Sequence, residues 1–457
     1  MMALPGDLLF GQEPGNKPNV ILCMADDLGW GDPGFNGNLV IKTPNLDAMA
    51  EAALRFTRFY AAAPVCSPTR GSCLTGRHPY RYGVFSANVG HMREQEITLA
   101  EALKTQGYTT GHFGKWHLGT LLPDYSGKGP RRNPRENYMT PGMCGFDEWF
   151  STEFAIATWD PYDPALFHGR KYDVRALYWH NGENVTEKLR GDDSRIIMDR
   201  AIPFVREAAK KNRPFLAVIW FHAPHAPVVA GPHYRKMYSQ YSEDEQHYYG
   251  CITAMDEQIG RLRRELRELR IADDTMLWFC SDNGPEGKDG KRGRFRGSAG
   301  PFRGRKRSLL EGGVRVPALL EWPARIKHGQ TTDVPCCTSD YYPTVLDVLG
   351  LKMQAQPQPI DGVSLLALIE GRVNQRPAPI GFESANQISL VDNRYKIYSN
   401  NKGRTYVLYD LIDDPGETKD LATEKPEILQ SMKATLAQWR KACKDSLAGK
   451  DYQQQCD

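Results

Sequence analysis

Three short, almost entirely apolar segments place the strongest constraint on how this chain of 457 residues folds. Residues 19–24 (NVILCM), 215–221 (FLAVIWF) and 275–280 (TMLWFC) each have the length of one strand and carry apolar side chains on both faces. Such segments are typical of strands buried in a parallel or mixed sheet with helices on both sides. Amphipathic segments separate them, so strand, loop and helix units repeat. We therefore predict an α/β fold.

Other segments continue this alternation. Helices are predicted at residues 45–54, 99–105, 198–210 and 243–269, and one more strand at residues 108–113. After two Pro-rich stretches, at 354–359 and 372–379, Tyr-rich strand candidates precede a last helix near 426–442. We predict a large mixed sheet flanked by helices over residues 18–370. A smaller α+β C-terminal subdomain, with a small antiparallel sheet and a terminal helix, is predicted over residues 371–457.

Charge and hydropathy argue against two classes of partner. The net charge is only +3, and Lys and Arg are dispersed, so nucleic-acid binding gains no support. The densest basic stretch, residues 288–307, is interleaved with Gly and is either a solvated loop or a channel wall that attracts an anionic substrate. No segment approaches the roughly 18 apolar residues of a bilayer-spanning helix, so we expect no membrane span.

Two features bear on the compartment. Residues 1–10 lack the basic flank and apolar run of a secretory signal, so we expect a periplasmic or secreted protein given without its signal, with a cytoplasmic location also open. The ten cysteines lack the CxxC spacing of a zinc site. Cys336 and Cys337 are adjacent and cannot easily pair with each other, whereas Cys443 and Cys456 could pair. Buried free thiols are the alternative.

The first and third apolar segments run directly into polar residues, Asp26-Asp27 and Asp282-Asn283. Open α/β sheets keep their ligand sites beyond the carboxyl ends of the strands. Hard cations such as Ca²⁺ take carboxylate and amide oxygens as ligands. Each residue alone could equally cap a helix or lie in a solvated turn. Together the four form the hypothesis of a calcium site.

Residues 66–77 (CSPTRGSCLTGR) are the most informative segment. On spacing alone, Cys66 could be a capping thiol at a helix start. The C-x-P-x-R core followed by TGR resembles the signature of formylglycine-dependent sulfatases, the arylsulfatase family of the alkaline phosphatase-like superfamily. The resemblance implies that a formylglycine-generating enzyme oxidises Cys66 to formylglycine, whose hydrated aldehyde supplies the nucleophile and a metal ligand. It also implies that Arg70 binds oxygens on the metal side and the hydrate.

Further segments resemble the family in chain order, from Pro18 to about Gly350. In the segment GKWHLG, Lys115 and His117 would face one pocket if the chain is extended there. The resemblance implies that Lys115 holds a sulfate oxygen and that His117 takes a proton from the hydrate as sulfate leaves. In the pattern G-x-K-x-x-x-x-E-G-G, which ends at Gly313, Lys306 would bridge the sulfate and the leaving group. Asp282 would assist deprotonation of the attacking hydroxyl.

Two histidines follow the second apolar segment in the sequence HAPHAP. Histidine is suited to protonating a leaving alkoxide near neutral pH. The family pattern aligns better with His225 than with His222 as this general acid. His222 would then contact the substrate, or be a hydrogen-bonded core residue.

The predicted reaction is hydrolysis of a sulfate ester in a sulfated small molecule or glycan. One rival is a phosphonate or phosphate monoester hydrolase of the same superfamily, and another is a sulfated-glycan binding protein that keeps Cys66 unmodified. Aromatic residues between 133 and 179 favour a carbohydrate substrate because aromatic rings pack on sugar faces, although core packing explains some of them equally well. They are Trp149, Trp159, Tyr162, His168, Tyr178 and Trp179.

Overall fold

An eleven-stranded mixed sheet runs through the centre of the molecule in the computed structural model, which describes residues 17–129, 132–167, 172–353 and 355–455. In chain order its strands are β1 Asn19–Ala25, β2 Leu54–Tyr60, β3 Thr109–Lys115, β4 Glu148–Thr152, β5 Trp179–His180, β6 Glu183–Asn184, β7 Phe215–Trp220, β8 Thr275–Ser281, β9 Arg315–Glu321, β10 Gln330–Thr332 and β11 Cys336–Cys337. The spatial order is β10-β2-β9-β8-β1-β7-β3-β4-β5-β6, and β11 pairs with β2. This confirms the predicted fold class.

Strand β1 lies at the middle of the sheet, parallel to β7 on one side and to β8 on the other. Its side chains alternate between two separate cores. Val20, Leu22 and Met24 join the core on one face, whereas Ile21, Cys23 and Ala25 join the core on the other. A strand that is buried on both faces has an almost continuous apolar sequence. The apolar segment NVILCM therefore predicts β1 correctly.

Helices cover both faces of this sheet. The described helices are α1 Pro44–Ala52, α2 Cys66–Thr75, α3 Leu99–Lys104, α4 Pro134–Asn137, α5 Asp193–Lys210, α6 Pro232–Lys236, α7 Glu243–Glu268, α8 Glu311–Val314, α9 Tyr341–Val348, α10 Leu366–Ile369 and α11 Pro426–Leu447. Apolar residues of α2, α3 and α9 pack into one core, and those of α1, α5 and α7 into the other. The helices therefore form the two outer layers around the sheet.

The C-terminal part contains a second sheet of four antiparallel strands in sequential order. They are β12 Ile380–Ser384, β13 Gln387–Val391, β14 Tyr395–Ser399 and β15 Val407–Asp410. One face packs against Met432 and Leu436 of α11. The other packs against the large domain through Tyr60 and Val314. A small antiparallel sheet and a terminal helix are therefore present, while the boundary at residue 370 stays a prediction.

A buried ionic cluster joins the two parts. The ammonium of Lys396, on β14, lies 2.9 Å from Glu311 and 2.8 Å from Glu417, and all three side chains are 0% exposed. Tyr60 donates its hydroxyl hydrogen bond to the second carboxylate oxygen of Glu311. The Glu311 backbone N–H donates to Glu417. Glu311, the glutamate of the G-x-K-x-x-x-x-E-G-G segment, thus forms a salt bridge with the C-terminal sheet.

Element bounds differ from the predictions where tertiary contacts decide them. Helix α5 begins at Asp193 rather than residue 198, because Asp192 caps it by accepting a hydrogen bond from the backbone N–H of Arg195. Helix α1 ends at Ala52 rather than residue 54, because the chain enters β2 at Leu54. Capping of α7 by Ser242 and Glu245 matches the predicted start at 243.

Nine cysteines, Cys443 among them, are free and buried in the described residues. Cys456 lies outside the described residues, as do His168 and residues 1–10, so predictions that involve them are not addressed by the structure. Within the described ranges, no helix has the length and apolarity required to cross a bilayer.

Candidate active site

Helix α2 holds Cys66 at the carboxyl edge of the central sheet. The hydroxyl of Thr69 donates to the carbonyl of Ala63 and so fixes the turn into the helix. Cys66 is the first helical residue, and Arg70 follows at the i+4 position, on the same face. Cys66 is only 1% exposed, and burial raises the pKa of its thiol. As a thiol it is therefore uncharged and weakly nucleophilic at neutral pH.

The acids predicted to bind a metal converge beside Cys66. Asp26 and Asp27 follow β1, and Asp282 and Asn283 lie at the end of the neighbouring strand β8. One ligand atom each from Asp26, Cys66 and Asp282 lies within 4.8 Å of the other two. Asp27 has φ 68°, a left-handed conformation that aspartate adopts more readily than most residues, and its Oδ1 accepts a hydrogen bond from the side-chain amide of Asn283 at 2.7 Å.

The hydrogen bonding of this cluster fits a hard cation. Asp26 Oδ1 and Asn283 Oδ1 are buried oxygens without a hydrogen-bond donor in the described part of the chain. Buried acceptors normally have a partner, so these two oxygens are available to a metal ion. The donor set of carboxylate and amide oxygens suits Ca²⁺. The soft sulfur of Cys66 does not, whereas an oxygen-bearing side chain at position 66 would.

Three cations compensate the carboxylates. Arg70 donates to Asp282 at 2.6 Å, Lys115 to Asp26 at 2.6 Å, and Lys306 to Asp27 at 2.5 Å. Burial and the charge of Asp26 raise the pKa of Asp282 to about 6. Burial alone would also raise the pKa of Asp27, but the ammonium of Lys306 holds it below its ordinary value.

Lys115, His117 and Cys66 line one cavity, which we call the chamber. The backbone conformation that brings the two side chains together differs from the predicted extended loop. Strand β3 ends at Lys115, and His117 has φ 60°, which turns its ring to the same side. A Cβ on the preceding Gly114 would lie 1.9 Å from the carbonyl oxygen of Trp220. Only glycine fits this close approach, so the turn that aims both side chains depends on it.

His117 is held in one orientation. Its Nε2 donates to the Oδ1 of Asn88 at 2.9 Å, which leaves Nδ1 with the lone pair. Nδ1 is buried and has no partner in the described part of the chain. Burial and the charge of Lys115 hold the pKa of His117 well below its usual value. The ring is therefore neutral and offers one free acceptor atom.

The two histidines of HAPHAP lie in different environments. His225 lines the chamber, its Nδ1 donates to the carbonyl of Ala226 at 2.7 Å, and its Nε2 lies 3.7 Å from Asp27. Burial lowers the pKa of His225 to about 3. His222 is 0% exposed, and both ring nitrogens are bonded, at 2.6 Å to Asp193 and 2.7 Å to Thr152.

The environments of His222 and His225 distinguish the two roles that the sequence allows for them, general acid and hydrogen-bonded core residue. His225 has an atom directed toward the reacting region, as a general acid requires. The prediction that His222 contacts substrate does not fit its position, because the ring is fully buried with both nitrogens occupied. His222 is the hydrogen-bonded core residue.

The chamber has a volume of about 300 Å³. Besides the predicted residues, its lining includes four groups that sequence patterns did not single out: Asn88, Lys128, Arg307 and the pair Ser384-Ala385. Arg307 and Lys306 enter together from the segment before α8. Ser384 is the last residue of β12, the first strand of the C-terminal sheet, and Ala385 follows it. A local motif carries no signal for such contacts, because they come from chain segments far apart in sequence.

The aromatic residues predicted to pack on sugar faces belong to the protein interior where the structure describes them. Trp149 and Trp179 lie in one core. Tyr162 and Tyr178 lie in the other, with Trp159 packed against it. Tyr178 stacks on Phe150 and donates to Asp193. Core packing therefore accounts for these rings, and Phe154 is the aromatic residue that reaches the chamber.

Comparison with known proteins agrees with this geometry. The sulfatase family model matches residues 18–351, and a second model, N-sulphoglucosamine sulphohydrolase, C-terminal, matches residues 302–442. The chain is 33% identical over 378 residues to N-acetylgalactosamine-6-sulfatase of Sus scrofa, covering 79% of this chain and 67% of that protein. It is 30% identical over 419 residues to steryl-sulfatase of Homo sapiens, covering 78% and 70%.

Among solved structures, that of Ps i-CgsB in complex with k-i-k-neocarrahexaose is similar, with a TM-score of 0.80 and 28% identity over 93% of this chain and 92% of that one. The family match spans the segments that contribute the acids, Cys66 and the cations of the chamber. The chain therefore belongs to the sulfatase family of the alkaline phosphatase-like superfamily and is a sulfuric ester hydrolase.

Proposed function

We propose that this sulfatase removes sulfate from a sulfated carbohydrate, using a Ca²⁺ ion and a formylglycine made from Cys66. The observation that carries the proposal is the convergence, on one buried chamber, of Cys66, a carboxylate cluster with two unpartnered oxygens, and the cations Lys115 and Lys306. A sulfate ester is an anion, so a site that hydrolyses it must surround the sulfur with positive charge.

Asp26, Asp27, Asp282 and Asn283 would hold the calcium ion, together with the side chain at position 66. When bound, the ion would neutralise sulfate oxygens and favour the ionised form of an oxygen nucleophile. The unpartnered oxygens of Asp26 and Asn283 support this assignment. Family membership supports a metal ion in general, and the oxygen donor set is what favours calcium.

Conversion of Cys66 to formylglycine would provide a hydrated aldehyde, with one hydroxyl to attack sulfur and a second to permit release of sulfate. The raised thiol pKa supports a need for conversion, because the cysteine itself is a poor nucleophile here. At 1% exposure in the folded chain, Cys66 is out of reach of another protein. A formylglycine-generating enzyme would therefore act on the chain before it folds.

The remaining residues position charge and protons. Lys115 and Lys306 would each hold a sulfate oxygen with the ammonium that now contacts a carboxylate. His225 would donate from Nε2 to the departing alcohol as the imidazolium, because the Ala226 carbonyl accepts the Nδ1 proton. The ring is neutral in this structure, so it would take up the second proton when the anionic sulfate ester, whose charge favours the imidazolium, is bound beside it. His117 would accept a proton at the unpartnered Nδ1. Arg70 stays with Asp282 and fixes the orientation of that carboxylate.

A second cavity of about 420 Å³ adjoins the chamber and would receive the alcohol part of the substrate. The two share Lys128, Phe154, Ala155 and His225. Its other walls are mostly apolar and include Ile156, Leu177 and Pro227, with Tyr125 and Asp173 as polar groups. An apolar wall with a few polar groups fits the two faces of a sugar ring. Relatives named N-acetylgalactosamine-6-sulfatase, and a structure solved in complex with k-i-k-neocarrahexaose, support the same class.

The proposal is tested on protein co-expressed with a formylglycine-generating enzyme. Mass spectrometry of the peptide containing Cys66 measures conversion, and release of sulfate is measured on aryl sulfate, aryl phosphate and sulfated oligosaccharides, with and without chelator. We expect conversion, chelator-sensitive turnover and preference for sulfate over phosphate. A Cys66→Ala variant is the matched control and should be inactive.

Three outcomes would contradict parts of this proposal. Faster turnover of the phosphate ester would favour the phosphonate or phosphate monoester hydrolase. Binding without turnover, with Cys66 unconverted, would favour a sulfated-glycan binding protein. Turnover confined to simple aryl sulfates would exclude the carbohydrate substrate.

A further inference from the structure

An open groove of about 700 Å³ lies next to the catalytic chamber. It is formed by the Gly-rich segment that follows β8, and its lining consists of residues 287–291, 297–300, 302 and 304–308, together with Gln387. This segment is the densest basic stretch of the sequence. Its composition fits either a solvated loop or a channel wall, and much of it lines this groove.

The groove is continuous with the chamber. Lys306 and Arg307 line both cavities. The ammonium of Lys306 contacts Asp27, one of the candidate metal ligands. The side chain of Arg307 is exposed and forms a salt bridge with Glu286. A ligand with its sulfate ester at Cys66 and a chain longer than one sugar would therefore extend either into the apolar cavity or along this groove.

The charge of the groove is strongly one-sided. Five cations line it, namely Lys288, Lys291, Arg305, Lys306 and Arg307, against one carboxylate, Asp289. Lys306 and Arg307 are paired with Asp27 and Glu286, so the excess positive charge comes from the other three. That carboxylate accepts a hydrogen bond from the backbone N–H of Lys291 and so caps the local turn. Lys288 and Lys291 are exposed. Neither they nor Arg305 forms a salt bridge within the described residues.

Arg305 is held rigidly even though no carboxylate pairs with it. Its guanidinium donates to the carbonyls of Gly287 at 2.7 Å, Glu286 at 2.9 Å and Gly297 at 2.6 Å. These three bonds tie both ends of the Gly-rich loop together and hold a positive charge at the groove wall. A loop that only meets solvent gains nothing from keeping like charges close together, since they repel.

We propose that this groove binds a second anionic group of the same glycan, so that the enzyme selects chains with several sulfate or carboxylate groups. This inference rests on the proposed carbohydrate sulfatase activity. Lys288 and Lys291 would contact the distal anion, and Arg305 would stabilise it from the wall. The contacts are remote from the reacting sulfur, so they change binding of the glycan and not the chemical step.

The test uses the full-length converted enzyme and the inhibition of aryl sulfate hydrolysis by dextran sulfate, with neutral dextran for comparison. The variant Lys288→Ala/Lys291→Ala removes the two exposed charges. The matched control is Lys210→Ala/Lys327→Ala, which removes two exposed charges just before β7 and β10, at the edge of the sheet opposite the chamber.

We expect dextran sulfate to inhibit the wild type and the control equally, and to inhibit the groove variant with a constant weakened roughly threefold to tenfold, as two exposed ion pairs imply. The KM and kcat for aryl sulfate should be unchanged. The salt dependence of inhibition should also be shallower in the groove variant. Polygalacturonate in place of dextran sulfate tells whether carboxylates serve as the distal anion.

Equal inhibition of the groove variant and the wild type, or no inhibition by dextran sulfate, would overturn the inference. Either result leaves the catalytic proposal intact as long as aryl sulfate is hydrolysed. Loss of aryl sulfate hydrolysis in the wild-type enzyme would instead refute the proposed function.

Discussion

Replacing Lys396 with Met should destabilise the protein by about 3–5 kcal/mol, the usual cost of breaking a buried ion pair from one side. The ammonium lies 2.9 Å from Glu311 and 2.8 Å from Glu417, and all three side chains are fully buried. Glu311 would keep its bonds from Tyr60 and Arg315. Glu417 would keep the backbone N–H of Glu311, but its carboxylate would lose the salt bridge to the ammonium of Lys396.

The free energy of unfolding is measured by urea titration with circular dichroism. The double variant Lys396→Met/Glu417→Gln removes the uncompensated charge while its amide oxygen can still accept from the Glu311 backbone. It should recover about half or more of the loss, since breaking a buried pair from one side is costly chiefly through the charge left behind. Lys327→Met, at an exposed site, should change stability by less than about 0.5 kcal/mol.

The loss should also depend on pH. Burial raises the pKa of Glu417 and the charge of Lys396 lowers it, so removing the lysine raises it further. A carboxyl whose folded-state pKa is raised contributes stability below its unfolded pKa, and that contribution is lost as pH rises through the folded value. The deficit of the Lys396→Met variant should therefore shrink toward pH 5 and be largest near pH 8. A deficit below about 1 kcal/mol at pH 8, or one that grows on acidification, would refute this account of the cluster.

Three further perturbations test the site. Chelation should abolish sulfate release, and added Ca²⁺ should restore it with a rise in melting temperature; turnover unaffected by chelator would exclude the metal site. His225→Asn should lower kcat by roughly 10²–10⁴-fold, as expected for loss of a general acid, whereas His222→Gln should mainly reduce thermal stability; the reverse pattern would exchange their roles. Gly114→Ala should prevent folding or activity, because the added Cβ would contact the Trp220 carbonyl. The control Gly107→Ala is also at positive φ but has no atom within 4 Å of the added Cβ, so its free energy of unfolding should fall by only about 1–2 kcal/mol. Equal stability of the two variants in thermal unfolding would contradict the packing argument.

The sequence was most informative where burial is uniform or a motif is local. β1, β7 and β8 are apolar on both faces, so their sequences predict buried strands directly. The signature that contains Cys66 is likewise one continuous segment. β2 was not predicted, because its sequence LRFTRFY interrupts the apolar run with Arg55 and Arg58. Arg58 is nevertheless buried, since its guanidinium donates to the carbonyls of residues 392 and 393 in the C-terminal subdomain.

Contacts between distant segments explain the other differences. The core role of His222 depends on Asp193 and Thr152, which no local pattern links to it. The shared orientation of Lys115 and His117 comes from a left-handed residue rather than from strand periodicity. Ser384 and Ala385 reach the chamber only because the second sheet packs on the first. Such features follow from tertiary structure and not from residue spacing.

The central position of β1 also determines how late in synthesis this strand can be completely paired. Its neighbours β7 and β8 are encoded far downstream, so the first strand cannot be paired on both sides until residue 281 has left the ribosome. At roughly 5–20 residues per second, the interval after Cys66 is translated lasts about 10–40 s. During that time Cys66 belongs to an incomplete fold, and the proposed modification would take place in this interval. The strand order thus delays the burial of Cys66. Under the proposed conversion to formylglycine, faster translation or earlier collapse would leave a larger fraction of the enzyme unconverted.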